Sequence, residues 1–327
     1  SLLHPGKYHH YHTSSRLFSS TRRTGTARTM TAYPLIDVDC NLWHKDLQTL
    51  QQRQSDDQGD DEWTMLHEDA ISSANIVGML SPSSTLTEAR NGLERLIHHP
   101  TPPIEIRTTI GVHPYHVNDD DENWLGSSTL DDRKASMLSS LRDPDHRQWI
   151  AAVGECGLDA SEGFPPIGDQ LPFFEFQIQV AEELQLPLFV HERLAFDDTM
   201  RLLEKTTVPT IIHCFTGTTD EATQYVERGF YLSVSGYILK NNDEGSQEVR
   251  KCLETNVIPL DRLMIETDAP YMGFEGCRKV YLEHNTEYFN SLNSKKKKRL
   301  QNSIYPNVPS CLPQVLETVT DCLKKHD

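Results

Sequence analysis

The chain reads as an α/β protein of the TIM-type (β/α)8 barrel class. Three observations lead there. Eight short, apolar, β-branched runs recur along it, amphipathic segments separate them, and a polar residue able to do chemistry closes most of the runs. Strand then helix, repeated eight times over just under 300 residues, is the pattern of a parallel barrel. A doubly wound open sheet is the alternative, but the chain has no Gly-rich dinucleotide fingerprint and no P-loop.

The expected strands, in order, are Leu35–Leu42, Ile76–Leu80, Ile106–Val112, Trp149–Gly154, Pro187–Val190, Thr210–Cys214, Phe230–Ser235 and Leu263–Ile265. Helix-like segments fall at Phe173–Leu186, Phe196–Lys205, Glu221–Arg228, Gln247–Glu254 and Leu312–Lys324. Gln51–Glu62, Asn118–Asp132 and Ser161–Asp169 are polar and read as solvated surface insertions. The basic run Lys295–Arg299 reads first as a solvated helix face, with a localisation patch or a phosphate-contacting strip as alternatives.

Charge narrows the function. The 31 Lys and Arg face 48 Asp and Glu, a net −17. The first 36 residues hold five of the basic groups and no acid, so the remainder carries −22. A body that acidic cannot hold nucleic acid by bulk attraction and would need metal ions or a few placed cations. Residues 1–33, rich in Ser, Thr, Arg and His, read as a disordered leader or a mitochondrial or plastid transit peptide, with 34–327 as the folded domain. No apolar run approaches the roughly 20 residues of a membrane span. Seven Cys without a CxxC pair argue against a zinc ribbon, a redox site or a disulfide scaffold, and for a reducing, intracellular setting. Nothing in the sequence calls for an obligate protein partner.

Chemistry in such a barrel sits at the C-terminal strand ends. Here those ends carry Asp39 and Asn41, His113, Glu155, His191, His213 and Asp268. A core histidine or a capping aspartate explains any one of them; six such ends are the signature of a hydrolytic metal site. Asp37, Asp39 and Asn41 are spaced by two, which places them on one face, pointing into the barrel. Val38, Cys40 and Leu42 then face the helices. Cys40, Cys156 and Cys214 read as small apolar fillers rather than ligands.

These motifs resemble the TatD family of metal-dependent deoxyribonucleases. The matching stretches are IDVDCNL at 36–42, GVHP at 111–114, VGECGLD at 153–159, PLFVHER at 187–193, IIHCFTG at 211–217, GFYLSVSGYIL at 229–239, MIETDAPYMG at 264–273 and NVPSCLPQVLE at 307–317. They stand in family order along nearly the whole chain after the leader, and the tail after Asp268 looks most like the eukaryotic branch. The resemblance implies one or two divalent ions (Mg, Mn or Zn), with Glu155 bridging them. His191 and His213 would complete one site; Asp268, with Asp39 and Asn41, would serve the other and help activate water. His113 and Arg193 would line the substrate pocket. The implied activity is hydrolysis of DNA phosphodiester bonds, from the 3′ end of single strands. The chain departs from the family where Asp39 and Asn41 replace a His-x-His pair, and where Val308 replaces a glutamate after Asn307. The alternatives are a catalytically weakened barrel that binds nucleic acid or a protein, and a small-molecule amidohydrolase.

Overall fold

The structure is a computed structural model that describes residues 33–52, 70, 74–98, 104–119 and 129–325. The leader, most of the acidic stretch 51–62 and residues 120–128 of the second insertion lie outside the described residues. The expected eight strands are all present: β1 (Leu35–Asp37), β2 (Ile76–Ser81), β3 (Glu105–Ile110), β4 (Ile150–Asp159), β5 (Leu188–Arg193), β6 (Thr210–Ile212), β7 (Tyr231–Val234) and β8 (Leu263–Ile265). They pair in parallel in sequence order. The first and last strands meet through Val38 N donating to Ile265 O at 3.4 Å and a parallel bridge between Cys40 and Ala269. Beyond the bridge, Asp268 N donates to Asp39 O and Asn41 N to Ala269 O, both at 2.8 Å. The seam that closes the barrel therefore carries Asp39, Asn41 and Asp268 side by side.

The helices follow the strands because their apolar stripes repeat at helical spacing and need a sheet to cover. Leu86, Ala89, Leu93 and Leu96 are the buried face of Leu86–His98. Phe174, Val180 and Ala181 of Ile167–Leu184 pack with Val153, Leu188 and Val190 in the main cluster between sheet and helices. The C-terminal helix Leu312–Leu323 buries Val315 and Val319 in the same cluster. A second cluster under β1 joins Leu35, Cys40, Leu42, Leu47 and Leu312. None of the seven cysteines forms a disulfide and all are buried, including Cys40, Cys156 and Cys214, the three expected to be apolar fillers.

Four expectations need correction. β1 ends at Asp37, not Leu42. Ile36 and Val38 line an apolar cavity of about 430 Å³ inside the barrel, with Met79, Phe189, Ile211 and Met264, so Val38 does not face the helices. The Asp37 carboxylate is used up on backbone and threonine rather than joining the site, accepting from Thr267 N at 2.9 Å, Thr267 Oγ1 at 2.7 Å and Asp39 N at 3.3 Å. The physical reason is that the chain leaves the regular pleat at Val38–Asp39, and alternation holds only within the pleat. The insertions are also shorter than expected: Gln51 and Gln52 finish the helix Lys45–Gln52, residues 130–132 open the helix Leu130–Arg142, and Ile167 opens the long helix Ile167–Leu184. Lys295–Arg299 lies on the helix Ser294–Asn302, which buries none of its residues, in keeping with a solvated face.

The approach of β4 to β5 is close enough to require glycine. Gly157 has φ +138, and a Cβ there would stand 1.9 Å from His191 O. Gly157→Ala is expected to cost about 4 kcal/mol or more through clash and strain. Gly163, with φ +93 and open space around it, is the control, with an expected cost of about 1 kcal/mol. Equal denaturation midpoints for the two variants would refute the close-approach argument.

Candidate metal centre and active site

The long helix Ile167–Leu184 places two of the strand ends. Gln170 and Gln177 lie two turns apart on one helical face, and both are fully buried. Gln170 accepts from Asp159 N and donates to Asp159 O, both at 2.8 Å. Gln177 accepts from Val112 N at 2.8 Å and donates to Val112 O at 3.1 Å. Each amide thus satisfies both backbone groups of a residue just past the useful part of the sheet, fixing Asp159 at the end of β4 and the start of the loop that carries His113. Glu192 does the same for β5, accepting from Ala195 N at 2.8 Å and Tyr225 OH at 3.1 Å. Asn307 clamps the segment after β8, donating to Thr267 O at 2.9 Å. Its neighbour Val308 is buried in the apolar cluster under β1 and brings no polar atom to the site.

Glu155 is the centre. Its Oε1 lies 2.7 Å from His213 Nε2, 3.3 Å from His191 Nδ1 and 3.5 Å from His113 Nε2. His191 Nδ1 and His213 Nε2 are 3.3 Å apart. Bond lengths of about 2.0–2.2 Å around a tetrahedral ion separate its ligand atoms by roughly 3.4 Å; the two 3.3 Å spacings match this, while the 2.7 Å pair is at hydrogen-bond distance and has to open to admit an ion. His113, Glu155 and His191 form one group able to hold a metal, and Asp39, Glu155 and His213 another, with Glu155 shared.

The back nitrogens decide which atoms can coordinate. His191 Nε2 is 2.8 Å from Asp159 Oδ2, so the ring carries its proton on Nε2, donates that N–H to the carboxylate and keeps the Nδ1 lone pair for the front. His113 is the reverse case. Its Nδ1 accepts from Tyr115 N at 3.1 Å, and since a backbone amide can only donate, a neutral His113 carries its proton on Nε2. It faces Glu155 as a hydrogen-bond donor, not as a ligand. Burial, only partly offset by Glu155, holds His113 neutral, at about 3.

The electrostatics centre on the same carboxylate. Burial works against ionisation of Glu155, but His213, His113 and His191 together pull it well below the carboxylate range. Burial likewise opposes charge on His213, yet Glu155, Asp39 and Glu266 hold it well above the usual histidine range. Asp39 is pushed well up by burial against the pull of His213, and Asp268 to about 7 by burial. His213 Nδ1 lies 3.1 Å from Asp39 Oδ2 and 3.7 Å from Glu266 Oε1. These three buried atoms make no hydrogen bond of good geometry, which marks this corner as the least satisfied part of the site. Glu266 is anchored at its other oxygen by Ser233 Oγ at 2.6 Å. Asn41 Nδ2 donates to Asp39 Oδ1 at 3.4 Å and Asp268 Oδ1 at 3.3 Å.

The mouth has an aromatic wall. Phe164, from the loop read as a solvated insertion, stacks on His191 at 6.2 Å and 17° and packs against Tyr115 at 5.3 Å. Tyr115 and Tyr271 are exposed. Arg193 donates one bond, to Glu192 O at 2.6 Å, and among the described residues it makes no ion pair. Every residue expected from the sequence thus lies at the C-terminal end of the barrel or in the loops just beyond. Asp159, Glu266 and Phe164 are additions that sequence reasoning missed.

A model of the TatD related DNase family matches residues 36–321. A 3′-5′ ssDNA/RNA exonuclease TatD of Salmonella typhimurium is 32% identical over 202 residues, 61% of this chain and 70% of that protein. Its counterpart in Citrobacter koseri is 36% identical over 168 residues, 50% of this chain and 58% of that protein. In fold, a TatD family hydrolase of Entamoeba histolytica is similar with a TM-score of 0.64 at 22% identity, covering 90% of this chain and 93% of that one. A TatD homologue of Escherichia coli is similar with a TM-score of 0.64 at 20% identity, covering 88% and 90%. No helix among the described residues is long and apolar enough to cross a membrane.

Asp159→Ala is expected to weaken binding of a divalent ion by about 10–100-fold, the usual cost of losing a carboxylate behind a ligating histidine. Titration of metal-stripped protein by calorimetry measures it. An unchanged affinity would remove Asp159 from the site.

Proposed function

The chain belongs to the TatD-related DNase family, and from that premise we propose that it is a divalent-metal-dependent hydrolase of phosphodiester bonds in single-stranded DNA, working from the 3′ end. The observation that carries the reading is the set Glu155 Oε1, His191 Nδ1 and His213 Nε2, converging with mutual spacings of 2.7–3.3 Å, with Arg193 at the end of the same strand as His191 making no ion pair among the described residues. Two imidazoles and one carboxylate suit Zn²⁺ or Mn²⁺ better than Mg²⁺, which prefers oxygen. A bound ion would supply Lewis acidity, lowering the pKa of a water and offsetting charge on the phosphoryl oxygens.

The chain's own residues do the rest. His113 Nε2–H is directed at the reacting space and donates to a phosphate oxygen. Arg193 pairs with a second oxygen, where a planar fork is better than a point charge. Asp268 accepts the proton of the attacking water; its Oδ1 is held by Asn41, and the other oxygen makes no hydrogen bond among the described residues. Phe164 and Tyr115 offer a stacking face to a terminal base, a contact worth about 1–3 kcal/mol and indifferent to sequence. Stacking matters here because a body of net −22 gives little bulk attraction for a long strand.

Purified protein should cut end-labelled single-stranded DNA in Mn²⁺ or Zn²⁺, stop in EDTA, and lose at least about 10³-fold in rate on Glu155→Ala. A parallel panel of lactones and N-acyl amides separates this reading from small-molecule amidohydrolysis. Turnover of that panel, with intact DNA, would end the nuclease reading.

A further inference from the structure

We propose that this chain holds one divalent ion, not two. Glu155, His191 Nδ1 and His213 Nε2 are its protein donors, Asp39 is a positioning residue behind His213, and the Asn41 amide fills the adjoining pocket between Asp39 and Asp268. The inference rests on the reading of the site as a metal centre and concerns its stoichiometry and the division of labour around it.

The first argument is the lone-pair count on His213. A neutral imidazole has one lone pair and one N–H. The ring stands between two carboxylates, with Nε2 2.7 Å from Glu155 Oε1 and Nδ1 3.1 Å from Asp39 Oδ2. When Nε2 serves an ion beside Glu155 and His191, the proton is on Nδ1, and Nδ1 is closed to a second ion. Asp39 Oδ2 and His213 Nδ1 are both buried and lack any other hydrogen-bond partner, so a small rotation that aligns them satisfies both. Behind His191, Asp159 already stands in this relation at 2.8 Å. The two ligand histidines then have similar supports, each with a carboxylate within about 3 Å of its back nitrogen.

The second argument is what Asn41 presents. An amide nitrogen is a donor without an available lone pair. Asn41 Nδ2 stands within 3.4 Å of one oxygen of Asp39 and 3.3 Å of one oxygen of Asp268, so its two N–H bonds occupy the space a cation would take between those carboxylates. Turning the amide to offer its oxygen would give up both donor bonds, so a second ion has to displace them before it can bind. Val308, 2% exposed, adds no polar atom nearby.

The test is a metal count on the full chain. Metal-stripped protein is titrated with Mn²⁺ by calorimetry, the bound metal is quantified after desalting, and the Mn²⁺ paramagnetic resonance spectrum is recorded. One ion per chain, with the uncoupled hyperfine pattern of isolated Mn²⁺, is expected. Asp39→Ala should keep one ion and bind it about tenfold more weakly. Asn41→Asp, which exchanges the amide donor for a third carboxylate, should raise the count to two. Two ions on the unaltered chain, dropping to one in Asp39→Ala, would overturn the proposal. So would an unchanged affinity in a folded Asp39→Ala. No bound metal on the unaltered chain would instead sink the metal centre itself. The unaltered chain decides between these outcomes even where a variant fails to fold.

Discussion

One carboxylate oxygen, Glu155 Oε1, is the atom around which the C-terminal end of the barrel is organised. It touches three imidazoles from three different strand ends. A carboxylate at 6% exposure loses most of its hydration and is stable there only if cations or strong donors replace the water. The barrel provides them by register. β4 and β5 pair so that Gly157 stands opposite His191, and the missing side chain at Gly157 lets the two backbones close. Without that approach, His191 could not reach across to Glu155. The glutamine clips from the long helix fix the neighbouring backbone, so sheet pairing and helix packing both act on the same few atoms.

The histidines differ because of what lies behind them. His191 and His213 have carboxylates at their back nitrogens, which leaves lone pairs in front. His113 has a backbone amide behind it, which leaves a proton in front. Three similar residues at equivalent strand ends thus take two chemical roles, set by neighbours that are not themselves ligands. Some of the backbone strain lies at the same end: Cys214 and Asp268, each next to or part of the site, have φ of +44 and +51. Non-glycine residues in that region cost on the order of 1 kcal/mol each and persist only where surrounding structure fixes them.

Most of the fold was legible in the sequence because each strand is an apolar run and most runs end in a polar residue at the same end of the barrel. Leu263–Ile265 was bounded correctly, while β4 extends five residues past the expected Gly154 because Glu155, Gly157 and Asp159 continue the pleat with polar or absent side chains. β1 failed in the other direction. IDVDCNL keeps the alternation of a strand past the point where the chain turns to join Ala269, and a kink leaves no trace in the order of polar and apolar residues. The ligand candidates could be found because they are rare residue types at strand ends. Asp159 was missed although a signal existed: it follows Glu155 by four, the same face of a strand. Glu266 precedes Asp268 by two and was open to the same argument. Phe164 could not be found, because its contact with His191 depends on how a loop folds back.

Glu266 stands behind His213 as a second acceptor, its Oε1 3.7 Å from Nδ1 and its other oxygen fixed by Ser233. Position 39 is therefore partly backed: if Asp39 changed, a buried acceptor would still stand near the imidazole proton, at 3.7 Å rather than 3.1 Å. In evolutionary terms this makes a valley shallower. A lineage that exchanged Asp39 for a ligand, or a ligand for Asp39, would weaken the hold on His213 without leaving its proton unaccompanied.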